Sequence, residues 1–112
     1  MVKSMAKQIS FEFEKKKYTL EYTLRTAGQC EQDGFIAEQL ADRPATMIPL
    51  LFHWAFVRHH RGITKQLTSK IYENMNHKNE LVSALAEMYA DAVTALVDTE
   101  EETEGNANWT LT

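Results

Sequence analysis

The feature that most constrains this chain is a change of hydrophobic period near Leu24. Before it, Ile9, Phe11 and Phe13 alternate with polar residues, and after a polar break Tyr18, Leu20, Tyr22 and Leu24 do the same. A period of two places every second side chain on one face of an extended chain, which predicts two amphipathic strands over residues 8–24. The link Glu14-Lys15-Lys16-Lys17 is short and polar enough for a hairpin. It contains neither Asn-Gly nor Asp-Gly, the pairs that most readily form a two-residue turn. A lone two-stranded sheet is marginal in water, so its apolar face requires either helices beneath it or a second subunit.

Beyond Leu24 the apolar residues follow a helical period. Thr26 and Gln29 have the spacing of a capping box, and Gly34 stands where a left-handed residue would close a short helix. Pro44 and Pro49 flank the start of a longer helix, where a missing N–H costs little. From Ile48, the series Leu51, Phe52, Ala55 and Phe56 forms a core-facing stripe, while Leu50, Trp54 and Val57 lie off it. A helix so broadly apolar is either central in the fold or partly covered by another chain. Gly62 punctuates its end, and Thr64 can cap a third helix carrying Leu67, Ile71 and Met75. Asn79 is the expected N-cap of the longest helix, with Leu81, Leu85, Met88, Ala92 and Leu96 on its stripe and Val82, Tyr89 and Val93 beside it. The expected fold class is mainly α (α+β): an N-terminal β-hairpin followed by a bundle of about four helices over residues 27–97, all in one globular domain spanning 1–97.

The periodicity stops at Asp98. The acids Asp98, Glu100, Glu101, Glu102 and Glu104 crowd the next few positions, and a segment of that composition buries too little to offset its ordering entropy. Residues 98–112 are therefore expected to form a mobile acidic tail. The chain has 12 Lys and Arg against 16 Asp and Glu, a net charge of −4, yet residues 1–97 taken alone carry +1. A nearly neutral body with an acidic tail lacks the basic face of a nucleic-acid binder. No apolar run approaches the roughly 18 residues of a membrane span. The basic start is not followed by the apolar stretch of a secretory signal. Cys30 is the single cysteine of the 112 residues, which excludes an intramolecular disulfide and any multi-thiolate metal site. A cytoplasmic location is expected.

No catalytic, cofactor or metal constellation emerges. His53, His59 and His60 share one helix, but no pair has the i, i+3 or i, i+4 spacing that aims two ligands at one ion. They are read, with His77, as helix-end and surface histidines. Cys30 is read as a small buried apolar residue. Gly28, Gly34, Gly62 and Gly105 form no phosphate-cradling loop, and the sequon Asn108-Trp109-Thr110 lacks a secretory context. What remains is association. Met47, Met75 and Met88, with Phe52, Trp54 and Phe56, are most simply core, the other reading being a groove for a partner helix. Trp109 and Leu111 alternate with Asn108, Thr110 and Thr112 at the end of the acidic tail, which could deliver them to a groove or sheet edge of another protein. Leu51, Phe52 and Phe56 are assigned to the core. Trp54, Trp109 and Leu111 are the candidate partner-binding residues.

A resemblance joins these observations. Lys17-Tyr18-Thr19-Leu20-Glu21-Tyr22, then Gly34-Phe35, then the run Pro44-Ala45-Thr46-Met47-Ile48-Pro49-Leu50-Leu51-Phe52, follow one another in this order. Ala55-Phe56, His59-His60, Ile71-Tyr72, Leu85, Glu87-Met88-Tyr89 and the acidic, Trp109-containing end continue it. In order and spacing the chain resembles the small tail assembly chaperones of long-tailed phages and prophages of Gram-positive bacteria. The resemblance implies a mainly helical, non-enzymatic subunit that self-associates into a ring or spiral. Its partners would be the tape measure protein, which it keeps soluble, and the tail tube protein that later polymerises around that client. It would act in the host cytoplasm and be absent from the mature virion. A small structural protein of the tail, or a helical adaptor or regulator, is the alternative.

Overall fold

The computed structural model describes residues 8–94. Strands β1 (Ile9–Phe13) and β2 (Lys16–Leu20) pair antiparallel, with Ile9 opposite Leu20 and Phe13 opposite Lys16. This register leaves Glu14 and Lys15 as a two-residue turn, and both lie at positive φ, 51° and 69°. Two consecutive positive φ values are what a type I′ turn demands; its twist matches that of the strands, although neither residue is a favoured one there.

The second strand is shorter than the alternation predicts. Tyr22 and Leu24 fall outside it because Thr23 starts a helix: its hydroxyl accepts from the Thr26 N–H, and the Thr26 hydroxyl accepts from the Thr23 N–H. The capping box is therefore Thr23 with Thr26, one turn earlier than Thr26 with Gln29, and Leu24 is an exposed first-turn residue of α1 (Leu24–Gln32). Gly34 follows the C-cap Asp33 at φ 112°, the left-handed stop expected of it. A single 3-10 turn, Ala37–Gln39, leads to α2 (Pro44–Val57).

Pro49 lies inside α2, in the second turn, and not at its start. Its ring nitrogen cannot donate to the Ala45 carbonyl, and Ala45 is exposed, so water can satisfy that group. Helix α3 (Lys65–Glu73) is capped by Thr64, whose hydroxyl accepts from the Leu67 N–H at 3.1 Å. Helix α4 (Lys78–Thr94) begins one residue before Asn79, which is thus within the first turn and not the cap; His77, at φ 55°, precedes it. Leu96 and residues 98–112 lie outside the described residues.

Helix α2 is central. It packs against β2, α1, the 3-10 turn, α3 and α4, which is why it is apolar around so much of its circumference. Leu51, Phe52, Ala55 and Phe56 are buried, as is Met47, while Leu50, Trp54 and Val57 are half-buried. The hairpin lies on its C-terminal half: the Phe11 ring stacks on Tyr18 at 5.5 Å, and both meet Phe56 edge-on. Ile71, Leu81, Leu85 and Met88 complete the core from α3 and α4. Helices thus cover the hairpin's apolar face; of the methionine and aromatic stripe, Met47, Phe52, Phe56 and Met88 are core, and Trp54 and Met75 are half-buried against it.

Candidate interaction surface

The nucleophile and base candidates are tied up. Cys30 is fully buried, and burial raises its thiol to about 11, far from a reactive thiolate. The Tyr22 hydroxyl sits 3.5 Å from its Sγ and donates to the Leu51 carbonyl at 2.7 Å. His53 corrects the surface reading of the histidines, since it is buried between α2 and α3 with Nδ1 3.1 Å from the Thr68 hydroxyl. That hydroxyl gives its own proton to the Lys65 carbonyl, so Nδ1–H of His53 is the donor. Burial, and then the Lys65 charge, lower the His53 pKa and keep the ring neutral.

His60 accepts the Thr19 N–H through Nε2 at 3.0 Å, and His59 Nε2 lies 2.7 Å from Glu21 Oε1. Glu21 also receives Gln8 Nε2 at 3.0 Å. Burial raises its pKa, but these two hydrogen bonds and the His59 and Arg58 charges outweigh that and lower it overall. Among the described residues no group of three or more His, Cys, Asp or Glu is placed to hold a metal ion. No described helix is long and apolar enough to cross a membrane.

Trp54 is half-buried at the junction of α1, α2 and α3. Its indole N–H donates to Asp33 Oδ2 at 2.9 Å, and the same oxygen meets Lys65 Nζ at 2.6 Å. The ring also stands edge-on to His53 at 5.2 Å. Hydrogen bonds from Lys65 and Trp54 hold the Asp33 carboxyl below its ordinary pKa. Trp54 thus links three helices through its polar edge. The other two candidates, Trp109 and Leu111, lie outside the described residues.

An open apolar groove lies elsewhere. A groove of about 360 Å³ runs between Phe35, Ala37 and Leu40 on one side and Ala86, Tyr89, Ala90 and Val93 of α4 on the other, ending at Thr94. Tyr89 shapes its floor: the ring packs edge-on against Phe35 at 4.9 Å and Tyr22 at 5.6 Å, and its hydroxyl donates to Glu31 Oε2 at 3.0 Å. Burial, the Glu31 hydrogen bond and the charges of Glu31 and Glu38 push the Tyr89 phenol well above its ordinary range. Ile36, in the same segment as Phe35 and Ala37, is 44% exposed, one of two large apolar side chains so open among the described residues.

Ala86 and Ala90, four apart on α4, are the signal in the sequence that could have located this groove. Phe35 and Leu40 lie in a connection without helical periodicity, so no stripe in the sequence marks them.

Fold and site together define a small α+β protein, a hairpin on a four-helix platform, that carries an apolar groove beside α4. The chain belongs to the DUF5055 family, described as a domain of unknown function, which it matches over residues 5–112. No curated protein and no solved structure has significant similarity to it.

Proposed function

We propose that this protein is a phage tail assembly chaperone: it binds and solubilises the tape measure protein and assists polymerisation of the tail tube. It works as a homo-oligomer in the host cytoplasm, without catalysis. The observation that carries this reading is the open apolar groove along α4, a surface suited to holding an aggregation-prone helical client. The tape measure protein as that client is what the resemblance to tail assembly chaperones implies. Many weak apolar contacts, multiplied over subunits along a long client, give avidity while each contact stays reversible, so growing tube can displace each subunit without ATP.

Coexpression with the tape measure protein from the same gene cluster tests the reading. The long protein is expected in the soluble fraction only when this chain is present; equal solubility without it defeats the proposal. Mass spectrometry of purified phage particles separates the chaperone from a structural tail protein, because a chaperone is absent from the finished particle. Finding this chain there at stoichiometric amounts would favour the structural role.

A further inference from the structure

We infer that the groove between α4 and residues 35–40 is the docking site for an amphipathic partner helix with basic flanks. The floor offers Tyr89 and Val93, and Ala86 and Ala90 leave space above α4 where larger side chains would fill it. Its row from Ala86 to Val93 spans two helical turns, roughly 10 Å. That repeat matches the i, i+4, i+7 side chains of an approaching helix. Ile36 stands exposed in the adjoining segment as an apolar contact for the rim.

The charge of the partner follows from the walls. Residues 26–42 contain the acids Glu31, Asp33, Glu38 and Asp42 and no Lys or Arg; residues 79–94 contain Glu80, Glu87 and Asp91 and again no Lys or Arg. Asp33 is already neutralised by Lys65. Glu31 is held at the groove by the Tyr89 hydroxyl, and Glu38 and Asp91 are exposed. The nearest cations are engaged or distant: Arg43 donates to Gln39 Oε1 at 3.2 Å, Lys78 at the start of α4 donates to the Glu73 and Met75 carbonyls, and Arg25 lies in the first turn of α1; the other cations of the described residues are in the hairpin, after α2 and in α3. An apolar floor with Glu31 and Glu38 acting on Tyr89, and Asp91 next to Ala90 in sequence, selects a helix with Lys or Arg beside its apolar stripe and repels the chain's own run from Asp98 to Glu104.

This assigns a surface to the chaperone reading and rests on that reading for the partner's identity, though its chemistry comes from the groove. The test is fluorescence anisotropy with the full chain and a labelled Leu/Lys amphipathic peptide of about 18 residues, long enough to exceed the groove. A Leu/Glu peptide of the same pattern is the control. The Leu/Lys peptide should bind at least about tenfold more tightly. Glu38→Lys combined with Asp91→Lys should erase that preference, and Ala90→Trp should weaken binding of the Leu/Lys peptide by filling the groove. Thermal melts of both variants establish that they remain folded; Glu38, Ala90 and Asp91 are all exposed.

Equal binding of the two peptides, or unchanged binding by both variants, overturns the inference. So does displacement of the Leu/Lys peptide by a peptide of residues 98–112, which would assign the groove to the chain's own tail. Self-association abolished by Glu38→Lys with Asp91→Lys would assign it to a second copy and overturn it equally. Coexpression with the tape measure protein can fail while the peptide still binds, and the reverse, so the two proposals fall separately.

Discussion

The backbone N–H of Thr19 donates to Nε2 of His60 at 3.0 Å, joining the hairpin to the end of α2 across 41 positions of sequence. Next along the same edge, the Glu21 N–H donates to the Ala55 carbonyl at 2.9 Å. These two bonds close the outer side of β2. They also fix the protonation of His60, since an accepting Nε2 carries no proton and the ring must be neutral.

That relationship makes stability depend on pH. Burial, then the charges of Lys16 and His59, hold the His60 pKa below its ordinary value, and His53 is shifted the same way. As pH falls through about 6.5 the unfolded chain takes up these protons first, so stability is full above that pH and declines until the lower folded-state values are passed. Melting temperature should therefore drop between about pH 7.5 and 5. His60→Ala, which strands the Thr19 N–H, should cost about 1–2 kcal/mol at neutral pH and flatten the acid slope. A slope unchanged in that variant would remove His60 from the account.

The hairpin turn should be improvable. Glu14 and Lys15 both hold positive φ, a conformation that Asn and Gly adopt with less strain. Glu14→Asn with Lys15→Gly should stabilise the protein by about 1 kcal/mol, raising Tm by about 5 °C. The lost contact between Glu14 and Lys70, 3.5 Å apart with both side chains well exposed, subtracts little. A lower Tm would show that the turn is not strained in solution.

Cys30 should resist thiol reagents. It is fully buried and its thiol titrates at about 11, so labelling of the native protein should proceed only as fast as the chain opens. Ellman's reagent should give a full colour yield in denaturant and a slow one without it. Rapid native labelling would place the thiol at the surface.

Trp54→Phe removes the donor to Asp33 but keeps the ring's bulk and leaves Lys65 on the same carboxylate. A cost of about 1 kcal/mol is expected from chemical denaturation. If Trp54 also meets a partner, affinity for that partner should fall at a denaturant concentration where both proteins are fully folded. Unaltered affinity would leave it a purely structural link between helices.

Trp109→Ala should leave the melting curve unchanged and reduce the yield of soluble tape measure protein in coexpression. An unchanged yield would take Trp109 out of the binding surface.

The alternation around Phe11 and Tyr18 determined the hairpin, and the i, i+3, i+4 stripes determined α2, α3 and α4, because both patterns record one-sided burial directly in chain order. Boundaries were less legible. Thr23 and Thr26 compete as caps with the same chemistry, and only packing of the helix that follows decides between them. Local cost alone puts Pro49 at the start of a helix, whereas the core contacts of Leu51, Phe52 and Phe56 carry α2 straight through it. His53 reads as a surface group in the sequence because its partner, Thr68, is 15 positions away on α3.

By itself, then, the sequence determined the elements, their order, most of the core and the scarcity of cations in residues 26–42 and 79–94. Tertiary structure alone decided that α2 lies at the centre, that the hairpin rests on helices of its own chain, and that residues 35–40 and α4 enclose one apolar groove. The physical reason is that periodicity and composition are local, while a groove exists only where separate segments, here Phe35 to Leu40 and Ala86 to Val93, are packed side by side.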